Sequence, residues 1–263
     1  MSIAARLHHR GGLPRTRGAA LLTVLVFSML SILLALWAAR TAWYGERVVG
    51  NDADYQRAFE AAEALLLDAE LDIRGERADG RPCAYGGLPR GAAAGVCRSG
   101  GATKLPLENA DVPAFLAALS AQPQRCIDAL CAKRVGRQDI WNAPAAGTAP
   151  RRPGEQDLFA LMRGGSGARY GQYTGAQLGD AAQPAHPILA DRAEAEAGGW
   201  YWIEVIPYID SKPGLISNAP SHQLELVGLL PHVVYRITAV AFGRKPDTLV
   251  VVEQSYARPR RKD

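Results

Sequence analysis

Between Ala19 and Ala39 the chain carries no Asp, Glu, Lys, Arg or His. An apolar run of about 20 residues is the length a helix needs to cross a bilayer core. The polar residues inside it are Thr23, Ser28 and Ser31, whose hydroxyls can bond back to helix carbonyls. Trp37, Trp43 and Tyr44 stand at its far end, where aromatic rings favour the membrane–water interface. After Arg40 the pattern changes. Phe59, Ala62, Leu66 and Ala69 recur three and four apart, Tyr55 extends the stripe, and Glu and Asp fill the positions between. Gly75 is placed as a helix stop. Together the two stretches predict one helix from about Ala19 to about Arg74, on the order of 80 Å long at 1.5 Å per residue. Gly45 and Gly50 are its weak points, each costing up to about 1 kcal/mol relative to alanine. The first half faces lipid. The second half has one apolar stripe that must pack on something.

The end of the chain has a different period. "GGWYWIEVIPYID", "PHVVYRITAVAFG" and "DTLVVVEQSYAR" are rich in Val, Ile, Tyr, Trp and Thr. They predict three strands of an antiparallel meander, the last two joined by the hairpin-like "RKPD". Tyr235, Ile237, Ala239 and Ala241 should face one way, and Arg236, Thr238 and Val240 the other. A sheet with one apolar face and a helix with one apolar stripe satisfy each other, so the expected class is α+β. The region between, residues 76–199, reads as turns and loops. Its exceptions are a short helix in "DVPAFLAALSAQ", with Asp111 as N-cap and Pro113 in the first turn, and a second in "EQDLFALMR". "GGSGARYGQYTGAQLGD" reads as a plain mobile loop rather than an RNA-binding segment.

Charge sets the orientation. Arg6, Arg10, Arg15 and Arg17 precede the apolar run, which keeps the amino terminus in the cytoplasm and places the rest outside. The whole chain has 30 Lys+Arg against 26 Asp+Glu, a net charge of +4, and the leader supplies much of it. No nucleic-acid partner is expected from so small an excess. Cys83, Cys97, Cys126 and Cys131 all lie in the exported part, where an even number suggests disulfides. Three pairings are possible. Cys83–Cys97 with Cys126–Cys131 is preferred because each closes a short loop in a Gly/Pro-rich region. "CIDALC" is too widely spaced for a zinc pair and no histidine is near it, so no metal is expected.

A catalytic reading finds little support. His186, His222 and His232 are scattered, and H-E-x-x-H, G-x-S-x-G and phosphate-binding glycine loops do not occur. The acidic "NDAD", Asn51–Asp54, reads as a cap for the soluble helical half. Glu60 and Glu63 read as a solvated face rather than a carboxylate pair, and "ARPRRKD" as a frayed basic tail. No catalytic residue and no cofactor are expected.

Four stretches share a pattern. "RTRG" before the apolar run resembles the basic leader, ending in glycine, that prepilin peptidase cuts. "ALLTVLVFSMLSILLALWAAR" resembles the retained helix of type IV prepilins. "GERVVGN" with "AFEAAEA", and "YRITAVAFG" with "LVVVEQSYAR", resemble the continuation and closing strands of the PilX-like minor pilins. The resemblance covers about half the chain and leaves the middle unmatched.

The resemblance implies a pilin-like fold with a leader at 1–18 and cleavage between Gly18 and Ala19. A transmembrane half-helix at 19–40 and a soluble half at 41–75 follow. A variable region at 76–199, a sheet at 200–258 and a tail at 259–263 complete the chain. It implies a single-pass inner-membrane protein with a periplasmic carboxyl-terminal domain. The function implied is pilus initiation at or near the tip. The partners implied are the major pilin, other minor pilins, prepilin peptidase and the inner-membrane assembly platform. Most pilins carry glutamate at the fifth mature position, and here that position is Thr23. That departure fits a minor subunit. It also fits the tip pseudopilins of type II secretion of GspK type, although their large helical insertion is not matched by this glycine-rich middle. An anchored periplasmic enzyme or binding protein is the rival from another class.

Overall fold

The computed structural model describes residues 17–83, 95–142, 155–207 and 232–258. His222, the leader before Arg17 and the tail after Arg258 lie outside them. The chain divides into two compact units, Met1–Asn51 and Asp52–Asp263.

Helix α1 runs Arg17–Arg74. It passes through Gly45 and Gly50 without a break, so these glycines do not interrupt it. It is the one helix among the described residues long and apolar enough to cross a membrane, and its apolar stretch is not buried by the protein. The predicted stop at Gly75 is exact in position. Gly75 takes φ +67, its N–H bonds the Asp72 carbonyl at 3.1 Å, and Glu76 N–H bonds the Leu71 carbonyl at 2.9 Å. That bond pair satisfies two carbonyls the helix end would leave open, and it needs the left-handed conformation glycine takes without a Cβ penalty.

The second unit builds a five-stranded sheet in chain order, β1 (Cys126–Ile127), β2 (Leu130–Ala132), β3 (Gly199–Pro207), β4 (Val233–Phe242) and β5 (Leu249–Tyr256). All neighbours are antiparallel except β2 and β3. The meander β3–β4–β5 is the one the alternation predicts. The hairpin β1–β2 is an addition from the supposed loop region. Asp128 and Ala129 both take positive φ, giving the two-residue turn whose twist suits a hairpin.

Two further helices match the expected segments, α2 (Val112–Ser120) and α3 (Leu158–Arg163). Asp157 caps α3 through its side chain on Ala160 N–H at 2.7 Å. Asp111 stands at the start of α2 as predicted, but its side chain makes no capping bond. A one-turn helix, α4 (Pro187–Ala190), precedes β3.

The α1 residues from Asp52 onward pack on one sheet face. Ala58, Ala61, Ala62, Leu65, Leu66, Ala69 and Ile73 meet Tyr201, Ile203, Val205, Tyr235, Ile237, Ala239 and Ala241. Tyr55, expected in this stripe, is 52% exposed, and Phe59 lies at its margin. Alanines carry the contact instead because small side chains let helix and sheet approach closely. The other sheet face, expected to be polar, is covered as well. Ile140, Leu158, Leu161 and Met162 pack there with Trp200, Trp202, Val240 and the Cys126–Cys131 sulfurs. Its charged members are held in a network. Glu204 accepts from Arg236 Nη2 at 2.8 Å and from Arg134 N–H at 2.8 Å, and Arg134 pairs with Glu253 at 2.6 Å. Buried charges on that face are thus paired, as burial requires.

Candidate functional site: the long helix and its attachments

In the first unit α1 exposes its whole surface from Ala19 to Val49. Thr23, at the fifth position after Gly18, donates its hydroxyl to the Ala20 carbonyl at 2.9 Å, and Ser28 does the same to Leu25. Both hydroxyls are therefore satisfied within the helix, which suits an apolar surrounding. Gly18 and Ala19 belong to the first turns of α1. At the other end of the apolar run Arg47 lies over the Trp43 ring at 4.0 Å and Arg40 over the Tyr44 ring at 5.6 Å.

In the second unit three buried aspartates of α1 fasten the helix. Asp54, read from sequence as part of a cap, instead stands mid-helix. It accepts Arg244 N–H at 2.9 Å and Lys245 N–H at 3.0 Å from the β4–β5 hairpin. Burial pushes its carboxyl up, but those amides and the Thr248 hydroxyl outweigh burial and hold it below its ordinary value. Gly243 is required at this contact, since a Cβ there would strike both Asp54 and Thr248.

Asp68 accepts Gly171 N–H at 2.8 Å and the Thr174 hydroxyl. The glycine-rich stretch expected to be a mobile loop is therefore packed, with Ala168, Tyr173 and Thr174 buried. Its glycine backbone brings an amide against a carboxylate that has no ion pair among the described residues. Burial, then the nearby Asp72 charge, push the Asp68 carboxyl from 3.8 to about 6, against the two hydrogen bonds. A raised folded-state value means that Asp68 favours folding below its unfolded value and that this contribution is lost as pH rises through about 6. A shift of this size corresponds to roughly 3 kcal/mol. Asp68→Asn keeps an acceptor for Gly171 and offers the Thr174 hydroxyl a donor. Its stability relative to wild type is expected to rise by up to that amount between pH 4 and pH 7.5. Denaturant unfolding of the two full-length chains in detergent, followed by tryptophan fluorescence, measures the difference.

Asp72 anchors the third attachment. Arg98 donates to it through Nε at 2.8 Å and Nη2 at 2.5 Å, and Tyr201 through its hydroxyl at 3.1 Å. The remaining Arg98 donors reach the Thr103 and Asp128 carbonyls at 2.9 and 3.0 Å, and its guanidinium covers the Tyr173 ring at 4.1 Å. Burial lowers the Arg98 value, but the Asp72 charge and hydrogen bonds more than restore it, so the net direction is upward. Burial, with Asp72 adding to it, drives Tyr201 well above 10. Cys97, beside Arg98, is bonded to Cys83, just beyond the end of α1. Cys126 is bonded to Cys131 across the β1–β2 hairpin. Sequence reasoning proposed these cysteine pairs and missed all three aspartates.

The other candidate residues do not converge. Glu60 and Glu63 are exposed, as a solvated face requires. His186 and His232 stand apart, the latter 3.3 Å from the Asn109 amide. Among the described residues no group of His, Cys, Asp and Glu could hold a metal ion.

A family model described as the carboxyl-terminal region of the type IV pilus assembly protein PilX matches residues 94–258, more than half the chain. The chain belongs to the PilX family. No curated protein and no solved structure matches it significantly. The match falls on the sheet and on the middle region, which the sequence resemblance had left out. The pilin-like reading had leaned on the first third and the last two strands. The PilX region thus contains Arg98, both hairpins and the packed glycine loop, which are the parts of the fold that receive α1 from Asp52 onward. A PilX-family chain with a membrane-capable helix is a pilus assembly component that fits a membrane-anchored pilin.

Proposed function

We propose that this chain is a minor pilin made as a prepilin. Prepilin peptidase cuts it between Gly18 and Ala19. Residues 19–40 hold it in the inner membrane, with the amino terminus cytoplasmic and the carboxyl-terminal domain periplasmic. Residues 41–75 form the soluble half of the helix, 76–199 the variable region and 200–258 the sheet domain. The subunit then enters a type IV pilus through α1, at or near the tip, and takes part in initiation with other minor pilins, the major pilin and the assembly platform. It works by packing, not catalysis. The observation that carries this reading is the PilX match over 94–258 in a chain whose helix α1 carries a membrane-length apolar run.

Processing supplies one test. Gly18→Val is expected to leave the precursor uncut in cells with active prepilin peptidase. Mass spectrometry of the wild-type membrane form should find Ala19 at the amino terminus, and a retained Met1 would end the prepilin reading. The cysteines supply another. Closing a loop of about 15 residues is worth roughly 3 kcal/mol in the chain-entropy model. Peptide mapping without reduction should recover Cys83 linked to Cys97 and Cys126 to Cys131 from the exported protein. Free thiols, or a Cys97–Cys126 link, would refute it.

A further inference from the structure

Around the far end of the apolar run, the surface of α1 is sharply two-sided. At 3.6 residues per turn Trp37, Arg40, Trp43, Tyr44 and Arg47 fall within about 120° of arc, while Ala38, Ala42 and Gly45 occupy the opposite side. Trp37, Trp43 and Tyr44 are 70%, 52% and 49% exposed among the described residues. The two arginines are held by the aromatic rings rather than by carboxylates. Arg40 also reaches the Tyr44 hydroxyl at 3.4 Å, and neither guanidinium has an ion pair among the described residues. Glu46, the nearest carboxylate in sequence, lies about 60° beyond the edge of this face. A guanidinium on an aromatic ring keeps most of its five donors directed outward.

We propose that this face docks on phospholipid headgroups at the membrane surface where α1 leaves the bilayer. Arg40 and Arg47 hold the phosphates, and Trp37, Trp43 and Tyr44 fill the headgroup layer. The apolar run from Ala19 supplies about 30 Å of helix, one bilayer core, and the collar straddles its far end. Phosphate is the anion that guanidinium donors fit, and amphipathic rings partition to the same depth. Because the collar is one-sided it fixes rotation as well as depth. It turns Ala38, Ala42 and Gly45 away from the headgroups, toward whatever helix packs beside α1.

The inference rests on the membrane-spanning reading of α1 and is independent of incorporation into a pilus. The test places a photoreactive benzoylphenylalanine at Tyr44 or at Ala42 in the full chain. Vesicles of phosphatidylethanolamine and phosphatidylglycerol carry radiophosphorus in their headgroups. Illumination is expected to label the Tyr44 position more strongly. Arg40→Gln with Arg47→Gln should reduce that label about threefold or more and leave the Ala42 label unchanged, because the guanidinium–phosphate contacts act on one face. Equal labelling at the two positions, or a Tyr44 label indifferent to the arginines, overturns the proposal. A chain that carbonate washes off the vesicles overturns it too, by removing the spanning helix beneath it.

Discussion

Asp72→Ala is expected to cost roughly 3–5 kcal/mol, the penalty for breaking a buried ion pair by deleting one partner. The deletion strands Arg98, whose side chain is 6% exposed, and removes the acceptor of the Tyr201 hydroxyl. Most domains have only 5–15 kcal/mol in total, so such a variant should be largely degraded or insoluble in the cell. The charge rather than the volume is responsible, and a second substitution separates the two. Asp72→Ala with Arg98→Met removes the stranded cation and should recover much of the loss, because apolar replacements of buried pairs are often neutral. Urea unfolding of the wild type and both variants measures this. A loss below about 1 kcal/mol for Asp72→Ala would mean that water reaches the pair and that it is worth no more than a surface bridge.

The second large effect concerns Thr23. In a typical pilin the glutamate at this position is thought to meet the charged amino terminus of a neighbouring subunit inside the apolar stalk. A lone charge at membrane depth costs about 2.5–3.5 kcal/mol on insertion scales, so it needs that partner. Thr23 needs none, since its hydroxyl is already bonded to the Ala20 carbonyl. On the proposed minor-pilin reading, the subunit would lack one half of the pairing and would still offer its own amino terminus to another subunit. That asymmetry suits a rare subunit with one neighbour missing. Deletion of the gene is expected to impair pilus initiation severely, as electron microscopy of surface pili would count. A strain carrying Thr23→Glu should remain piliated, because the added carboxylate can find an amine in the filament. Normal piliation in the deletion strain would remove the initiation role and leave the fold and anchor untouched.

The long helix and the three-stranded meander were legible in the sequence because each rests on a sustained period. The run Ala19–Ala39 and the alternation Tyr235, Ile237, Ala239, Ala241 are long enough to exclude other readings. What escaped notice depends on contacts distant in sequence. The strands Cys126–Ile127 and Leu130–Ala132 are too short to show a period, and their turn uses Asp128-Ala129 where glycine would have signalled it. On α1 Ala62, Leu66 and Ala69 were placed correctly in the stripe, while the larger Tyr55 and Phe59 were chosen over Ala58 and Ala61, which the close approach of the sheet favours.

Asp54 was read as part of a cap, and Asp68 and Asp72 were not singled out. Only the positions of Arg98, Gly171 and the Arg244–Lys245 amides reveal them as fastenings. A faint signal existed. Asp54, Asp68 and Asp72 fall on the same helical side as Ala58, Ala61, Leu65 and Ala69, and acidic residues inside an apolar stripe call for partners. The second apolar layer was hidden for a related reason. Arg236 and Thr238 make that sheet face look polar, yet Trp200, Trp202 and Val240 share it with α3.

Quantitative mass spectrometry of sheared, purified pili tests the central claim most directly. The account predicts this chain in the preparation, starting at Ala19, and far less abundant than the major pilin. Its absence from pili, an amino terminus at Met1, or abundance near that of the major pilin would contradict a processed minor subunit at or near the tip.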